Sequence, residues 1–323
     1  MSQENLSSQD AAQGAAQEAP WELSAATAKH PCYSVNAAHQ YARMHLPVAP
    51  ACNIQCHYCN RKFDCVNESR PGVTREILNP EAARDKFIQV KRALPNLSVV
   101  GIAGPGDALA NWEQTRRTLA LIREEDPECL FCLSTNGLMV PQYGPELVAL
   151  GVSHVTVTLN CIDPEIGAAI YHFVDFRGKR HTGVAAAEIL LENQIEGIRY
   201  LVGKSVCVKV NIVMIPGINA AHIPLVVKKA KELGVFMTNI IPLIPAQGSR
   251  FQAMAPPSPE ELKSLREISR KDIQQMCHCR QCRADAIGLL ERDIACRFAD
   301  VSKKGPATVR RENNFQPSDP GVA

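Results

Sequence analysis

Six short apolar segments alternate with helical patterns along most of the chain, and this alternation constrains the fold more than any other feature. The segments that read as strands lie at 44–49, 98–103, 130–135, 154–158, 206–214 and 235–241. The helical patterns lie at 80–94, 112–124, 141–150, 183–196 and 223–233. Strands that alternate with helices favour a parallel sheet. Six such units predict an α/β fold, a partial (βα)6 barrel of the TIM type rather than a complete barrel.

Composition divides the chain into four parts. Residues 1–28 are rich in Gln, Ala, Ser and Glu, and 301–323 are polar with scattered prolines, so both are predicted to be disordered tails. The barrel is expected over 29–255, followed by a helical C-terminal appendage over 256–300. The sequence has neither a run of about 18 apolar residues nor a secretory leader. A cytoplasmic protein without a membrane partner is therefore expected.

Cysteine content indicates which kind of chemistry to look for. The chain has 13 cysteines, and in a sequence without an export signal this number favours metal or redox chemistry over disulfides. The formal net charge is only +2 and aromatic residues make up 5% of the chain, so no nucleic-acid partner is expected.

Three cysteines, Cys52, Cys56 and Cys59, follow the first predicted strand within one loop. Three thiolates from one loop can hold an iron–sulfur cluster and leave one iron open for a further ligand. A zinc site or buried, inert cysteines are the alternatives. Together with Tyr58 before the last cysteine, this loop resembles the hallmark of the radical S-adenosylmethionine (SAM) superfamily.

The resemblance implies a [4Fe–4S] cluster that binds SAM and cleaves it reductively to a 5′-deoxyadenosyl radical, inside a partial barrel of the radical SAM type. It also implies that the turn with Gly104, Gly106 and Asp107 meets the methionyl amino group of SAM. Four polar residues end the next two strands and are candidates for SAM contacts, or for turns and caps. They are Thr135, Asn136, Thr158 and Asn160.

Further metal-type ligands lie outside this loop. They are Cys32, His39 and His45 near the first strand, Cys129 and Cys132 at the third strand, and Cys277, Cys279 and Cys282 in the appendage. A CxxC pair such as Cys279 and Cys282 is typical of a metal site, although zinc would need two more ligands. The unmatched Cys65, Cys161, Cys207 and Cys296 are interpreted as packing residues.

The order of these motifs is similar to that of the NifB family of nitrogenase cofactor maturases. The motifs are HPC at 30–32, RMHLPVAP at 43–50, ESRP at 68–71, AGPGD at 103–107, LSTNG at 133–137, TVTLN at 156–160 and CRQCRAD at 279–285. Many members carry a second, carrier domain after the barrel, whereas only a short polar segment follows Arg297 here. A stand-alone form or a shortened chain is expected.

This second resemblance implies that two further [4Fe–4S] clusters are substrates, fused with a SAM-derived carbide and an added sulfur into the [8Fe–9S–C] precursor of the iron–molybdenum cofactor. It implies as partners cluster donor proteins, cofactor carrier or scaffold proteins, and an electron donor such as a ferredoxin or flavodoxin. We assign one substrate cluster to Cys32, His39 and Cys132, and the other mainly to Cys279 and Cys282.

Several alternatives stay open. His45 competes with His39 and Cys129 with Cys132, while Glu68 and Arg70 are candidates for catalytic proton handling or for a surface ion pair. The competing functions are a radical SAM enzyme with permanent auxiliary clusters that modifies a peptide or small molecule, and a non-catalytic iron–sulfur carrier.

Overall fold

The computed structural model describes residues 24–67, 72 and 74–299. The predictions for Glu68 and Arg70, for most of the N-terminal tail and for the C-terminal tail concern residues outside these ranges. Within them, no helix is long and apolar enough to cross a membrane.

The strands form two sheets. In chain order the strands are β1 (Ala42–His45), β2 (Ile54–Cys56), β3 (Leu97–Ile102), β4 (Leu130–Thr135), β5 (Val152–Thr158), β6 (Tyr171–Phe176), β7 (Lys179–His181), β8 (Cys207–Met214), β9 (Met237–Pro242), β10 (Ile287–Leu289) and β11 (Arg292–Asp293). Among the described residues, the larger sheet has the order β11-β10-β1-β3-β4-β5-β8-β9, and β2, β6 and β7 form a smaller sheet. The run from β1 to β9 in the larger sheet is parallel throughout.

Helices lie before, between and after the parallel strands of the described residues. They are α1 (Ala25–Ala28), α2 (Val35–Gln40), α3 (Pro80–Ala93), α4 (Trp112–Glu125), α5 (Val140–Ala149), α6 (Pro164–Ile170), α7 (Gly183–Gly203), α8 (Ile223–Glu232) and α9 (Pro259–Ser269). Local sequence signals set their starts. Asn79 caps α3 and is followed by a proline, and Ser258 and Glu261 form a capping box on α9. The main apolar core joins the sheet to α3, α4, α5, α7 and α8.

The expected α/β fold is confirmed. The six predicted strands correspond to β1, β3, β4, β5, β8 and β9, the parallel strands of the larger sheet. The largest difference in a helix is at α7, predicted to end at 196 but continuing to Gly203. Gly197 lies inside α7, where an added Cβ would approach Val140 Cβ to 2.6 Å. This glycine is therefore a close packing contact between α5 and α7 and not a helix stop.

The C-terminal appendage is less helical than predicted. It contains α9, but Cys277, Cys279 and Cys282 lie in an irregular segment after it. The hairpin of β10 and β11 then returns to the large sheet, where β10 pairs antiparallel with β1. Pairing of backbone groups at the free edge of β1 explains this return, because an unpaired strand edge exposes hydrogen-bonding groups. The appendage thus places Cys282 beside the first strand, where Arg43 donates to its Sγ.

The structure also departs from the prediction at the N-terminal boundary. Ser24 caps α1 within the segment predicted to be disordered, and Thr27 on that helix is buried. The Oγ1 atom of Thr27 lies 3.1 Å from His154 Nε2 on β5. This contact fixes α1 against the sheet, so ordered structure begins before residue 29.

Candidate functional site

Polar and sulfur-containing side chains occupy neighbouring positions across the parallel strands. His45 on β1 pairs with Gly101 on β3, which pairs with Cys132 on β4. In the next row, Ser134 pairs with Thr156, and Thr156 pairs with Lys209 on β8. Inward-facing rows of this kind usually fill a barrel with apolar side chains. Here every residue of the two rows except Gly101 carries a polar or sulfur-containing side chain. Such an interior suits a polar guest.

The first cavity, the loop cavity, lies at the cysteine loop. Cys52, Cys56 and Cys59 line it together with Cys65 and with residues at the carboxyl ends of β3 and β4. Soft thiolates favour Cu(I), Zn²⁺ and iron–sulfur clusters, and three of them can hold a cubane that keeps one iron open. The donor set therefore fits a [4Fe–4S] cluster, with the three loop cysteines as the residues that would hold it.

Cys65 is a residue that motif reading missed. It was interpreted as packing, yet it lines the loop cavity, and its backbone N–H donates to Pro105 O in the glycine-rich turn. No spacing rule links Cys65 to the other three cysteines. The signal was its position only six residues after Cys59, close enough in sequence for the chain to fold back over the same loop.

The glycine-rich turn packs tightly against the cysteine loop. A Cβ on Gly106 would lie 2.0 Å from Ala51 O, and Gly104 has a φ of +128° that only glycine adopts readily. Gly106 therefore allows the turn to approach the cysteine loop closely, and Gly104 supplies the backbone conformation of the turn. Of the two, only Gly106 lines the loop cavity itself.

Asp107 is buried and its carboxylate organises this end of the sheet. It accepts hydrogen bonds from the Leu109 and Ala110 N–H groups at 2.9 and 3.1 Å, and from the Asn136 N–H at 2.6 Å. The Thr135 hydroxyl donates to both of its oxygens. Burial raises the pKa of Asp107, while these donors favour its charged form. Asp107 therefore ties β3 to β4 within the loop cavity.

The remaining predicted SAM contacts divide into two groups. Thr135 and Asn136 line the loop cavity, and Asn136 Nδ2 lies 3.9 Å from Cys52 Sγ. Thr158 and Asn160 are buried and do not line it. Asn160 Nδ2 donates to Tyr58 Oη at 2.8 Å, and Tyr58 donates to Asn67 Oδ1 at 2.6 Å. These contacts make Tyr58 and Asn160 supports of the cysteine loop.

A second cavity, the barrel cavity, lies against the face of the large sheet that carries the two polar rows. It is lined by Cys32, His45, Cys132, Cys279 and Cys282, which brings together four of the five predicted substrate-cluster ligands. His39 is the exception. It lies on α2 with 59% of its side chain exposed, and Nδ1 is 3.8 Å from Glu291.

The tautomer of His45 suits it to a ligand role. His45 Nδ1 lies 3.0 Å from Arg283 O, and because a carbonyl only accepts, the Nδ1–H donates. This arrangement leaves the lone pair on Nε2, the usual preparation of a metal-binding histidine. Burial also lowers the pKa of His45 to about 4, which keeps the ring neutral. The structure thus places His45, and not His39, at the barrel cavity.

Cys129 and Cys132, the two alternative ligands at the third predicted strand, differ in their surroundings. Cys129 is packed in the apolar core, where burial raises the pKa of its thiol to about 12. Cys132, three residues further along, lines the barrel cavity. Cys277 is exposed and accepts a hydrogen bond from Arg270 at 2.8 Å, outside the barrel cavity. The structure therefore brings Cys132, Cys279 and Cys282 together and leaves Cys129 and Cys277 apart.

Two cations lie at the barrel cavity, one lining it and one bonded to a residue that lines it. The Arg43 guanidinium is buried, donates to Cys282 Sγ at 3.2 Å and also donates to Leu289 O at 2.8 Å. Lys209 is buried, lines the cavity, and places Nζ 4.9 Å from the centre of the Tyr33 ring. Positive charges in a low-dielectric interior attract negative charge more strongly than they would in water. The barrel cavity is therefore suited to an anionic guest.

Burial also raises the pKa of the Cys32 and Cys52 thiols, each to about 11. Thiolates in these cavities are therefore unfavourable until a positive metal centre is bound, so metal binding must release protons. Within the described ranges, no three His, Cys, Asp or Glu side chains are grouped to hold a single metal ion.

The two cavities meet at one residue. Ser134, near the end of β4, lines both the loop cavity and the barrel cavity. A reactive species formed at the cysteine loop would face a guest in the barrel cavity across this side chain.

Curated relatives match most of the chain. A FeMo cofactor biosynthesis protein NifB from Bradyrhizobium diazoefficiens is 50% identical over 285 residues, which cover 87% of this chain and 57% of that protein. The NifB of Klebsiella pneumoniae is 52% identical over 278 residues, covering 85% of this chain and 59% of that protein. The chain thus spans less than two thirds of the length of these relatives.

Solved structures agree on the fold. SuiB from Streptococcus suis superposes with a TM-score of 0.53 and 14% identity, covering 72% of this chain and 48% of that one. Methylornithine synthase (PylB) superposes with a TM-score of 0.50 and 14% identity, covering 80% of this chain and 78% of that one. Residues 46–230 match the family described as the Radical SAM superfamily. This match covers more than half of the sequence and contains the loop cavity, and the chain belongs to the radical SAM superfamily.

Proposed function

We propose that this chain is a radical SAM enzyme of the NifB type, which fuses two [4Fe–4S] substrate clusters with a SAM-derived carbide and an added sulfur. The product would be the [8Fe–9S–C] precursor of the nitrogenase iron–molybdenum cofactor. The observation that carries the proposal is the contact of the two cavities at Ser134. It gives a radical-forming site and a thiol-lined chamber a common boundary.

The loop cavity provides the radical-forming half. Its resident [4Fe–4S] cluster, when bound, supplies the electron that cleaves SAM reductively. Cys52, Cys56 and Cys59 would hold that cluster, while Asp107 fixes the position of the Asn136 backbone beside it. Gly106 leaves room for the backbone to approach SAM closely.

The barrel cavity would hold the substrate clusters. We assign Cys32, His45 and Cys132 to one cluster, replacing His39, and Cys279 and Cys282 to the other. A substrate that must leave is better held by few ligands and by one neutral imidazole than by four thiolates. Arg43 and Lys209 offset the negative charge of such substrates.

The proposed reaction uses SAM in two ways. One SAM donates a methyl group to a sulfide of a substrate cluster, and a second SAM yields the 5′-deoxyadenosyl radical that abstracts hydrogen from this methyl group. Further deprotonation leaves carbon at the centre of the fused cluster. Glu68 and Arg70, which lie outside the described residues, remain our candidates for proton handling.

The proposal requires partners of defined chemistry. Reductive cleavage of SAM consumes an electron, so we propose a low-potential donor such as a ferredoxin or flavodoxin. We also propose cluster donor proteins before the reaction and carrier or scaffold proteins after it, all in the cytoplasm. The NifB relatives extend beyond the part that this chain matches.

The test begins with anaerobically reconstituted protein. Iron and acid-labile sulfide are counted per chain, and about 12 iron atoms are expected because each cubane contributes about 4. The protein is then incubated with reductant and SAM labelled in its methyl carbon. Label is expected in an extracted iron–sulfur cluster, with 5′-deoxyadenosine formed in parallel.

A matched pair of variants controls the cluster count. Cys132→Ser is expected to lose iron, whereas Cys129→Ser, which changes a thiol in the core, is expected to retain it. About 4 iron atoms in the unaltered protein would reduce the proposal to a plain radical SAM enzyme. A full iron count with no label in the cluster would favour permanent auxiliary clusters and a peptide or small-molecule substrate.

A further inference from the structure

His30 is a buried histidine that the proposed ligand set does not use. Its ring lines the barrel cavity, and its side chain is 1% exposed. Tyr33 and His154 pack against the ring, with centroids 4.6 and 4.5 Å away. The surrounding aromatic rings fix its orientation, so its polar atoms have defined positions relative to the cavity.

The contact at Nδ1 determines which ring nitrogen carries the proton. The Cys32 backbone N–H donates to His30 Nδ1 at 3.1 Å. A nitrogen that accepts an N–H cannot itself carry a proton, so the hydrogen lies on Nε2. His45 shows the opposite arrangement, since Arg283 O accepts from its Nδ1–H. The two histidines of the cavity are therefore held in opposite tautomers.

The Nε2–H of His30 is a donor without an acceptor among the described residues. A buried donor without a partner is unfavourable, because it has given up its hydrogen bonds to water, and a guest in the barrel cavity can supply the acceptor. An Nε2 that carries hydrogen has no lone pair for iron. It can donate to the sulfur of a cluster, which is an acceptor and not a metal centre.

We propose that His30 is a positioning residue whose Nε2–H donates a hydrogen bond to a sulfide of the substrate cluster held by Cys32, His45 and Cys132. This inference rests on the proposed function, because it needs a cluster in the barrel cavity. The N–H···S bond is stronger in the reduced cluster, which carries more negative charge. It therefore raises the reduction potential of that cluster and orients it against the boundary with the loop cavity.

The test uses reconstituted protein with histidine labelled with ¹⁵N and compares four variants, of which His45→Gln removes the proposed imidazole ligand. His30→Phe removes the donor and keeps a planar ring, His30→Gln restores an N–H near the Nε2 position, and His39→Phe makes the same change at an exposed site. Iron is counted, and midpoint potentials are measured by titration followed by electron paramagnetic resonance. Pulsed measurements then report the strong coupling of a ¹⁵N bound directly to iron.

The expected result is a full iron count in His30→Phe with one cluster shifted to lower potential. His30→Gln should return the potential toward that of the unaltered protein, and His39→Phe should leave it unchanged. The strong ¹⁵N coupling should persist in His30→Phe and disappear in His45→Gln. If the His30→Phe protein does not retain iron, the His30→Gln protein tests the proposal instead. It is expected to bind the full number of iron atoms.

Three results would overturn the proposal. They are loss of the strong ¹⁵N coupling in His30→Phe, an unchanged set of potentials in that variant at full iron content, or one cluster fewer in His30→Gln. An unaltered protein with only about 4 iron atoms would instead remove the proposed function itself. The two failures are therefore distinguishable by the iron count of the unaltered protein.

Discussion

One backbone carbonyl prepares the His45 imidazole to act as a ligand beside the candidate thiolates. Arg283 O accepts the Nδ1–H of His45 and leaves Nε2 available, while His39 lies on α2 and faces solvent. Substituting a ligand should cost more than the roughly 10- to 100-fold loss of metal affinity seen on changing outer partners. We therefore expect His45→Gln to lose much of one substrate cluster.

His39→Gln provides the matched control, because it makes the same chemical change in a neighbouring histidine. Iron content and the strong nitrogen coupling are measured in both variants after identical reconstitution. Equal iron loss in the two variants, or loss in His39→Gln alone, would contradict the assignment of His45.

A second prediction at this scale concerns Asp107, whose carboxylate accepts hydrogen bonds from residues that follow β3 and from the end of β4. In Asp107→Asn the charge is lost and one acceptor oxygen becomes an N–H₂ group. We expect a loss of about 1–3 kcal/mol in the free energy of unfolding, together with weaker SAM binding. Urea denaturation and SAM titration measure the two effects.

Asp85→Asn is the control, because Asp85 is an exposed carboxylate on α3 that pairs with Arg84. This substitution should change stability little and leave SAM binding intact. An Asp107→Asn protein as stable as the unaltered one would contradict the role of Asp107 in joining β3 to β4.

Single residues also mark the limit of prediction from sequence. Cys129 and Cys132 stayed alternatives in the sequence, although Cys132 directly precedes the LSTNG motif, and it is Cys132 that lines the barrel cavity. His39 and His45 were not separable, because both precede the cysteine loop by a few residues. Their difference depends on the carbonyl of Arg283, which is distant in sequence and reaches β1 only through the folded appendage.

At the scale of elements, a glycine on β3 leaves space between the side chains of two candidate ligands. Gly101 pairs with His45 on one side and Cys132 on the other, and an added Cβ would lie 3.1 Å from His45 Cδ2. In Gly101→Ala the imidazole must shift. We expect a lower iron content with the fold retained, measured by iron analysis and circular dichroism.

Gly203→Ala is a suitable control, because a Cβ there at the end of α7 meets no atom within 4 Å. It should leave the iron content unchanged. A Gly101→Ala protein that binds the full complement would show that the His45 ring is free to move without loss of the substrate cluster.

Elements with a clear hydrophobic period were predicted well, and elements held by distant partners were not. The predicted 130–135 segment coincides with β4, whose residues are mostly buried. In contrast, β2 overlaps the cysteine loop and exists because it pairs with β6, far along the chain. β10 and β11 are too short to show a period, and they are held because β10 pairs with β1 and β11 pairs with β10.

Across the whole molecule, buried histidines predict how the stability of the metal-free protein depends on pH. Burial lowers the pKa of His154 to about 4, from 6.5 in an unfolded chain. The unfolded state therefore binds more protons as the pH falls below that ordinary value. The stabilisation is full above it and is lost as the pH falls toward about 4.

For His154 alone we expect the free energy of unfolding to be about 2 kcal/mol lower at about pH 5 than at about pH 7.5. Anaerobic urea denaturation of metal-free protein at the two pH values measures this difference. His154→Gln should reduce it, whereas His39→Gln should not. A pH difference of the same size in His154→Gln would assign the effect to other groups.

The barrel cavity takes its walls from both ends of the described chain. Cys32 precedes β1, and Cys282 follows α9 and reaches β1 only through the hairpin of β10 and β11. During synthesis, the loop cavity can therefore be assembled well before the barrel cavity has all its walls. Loading of the barrel cavity must wait until the last segment has been translated and has paired with the first strand. Proteolysis just before Cys279 would remove that chamber while leaving the cysteine loop in place.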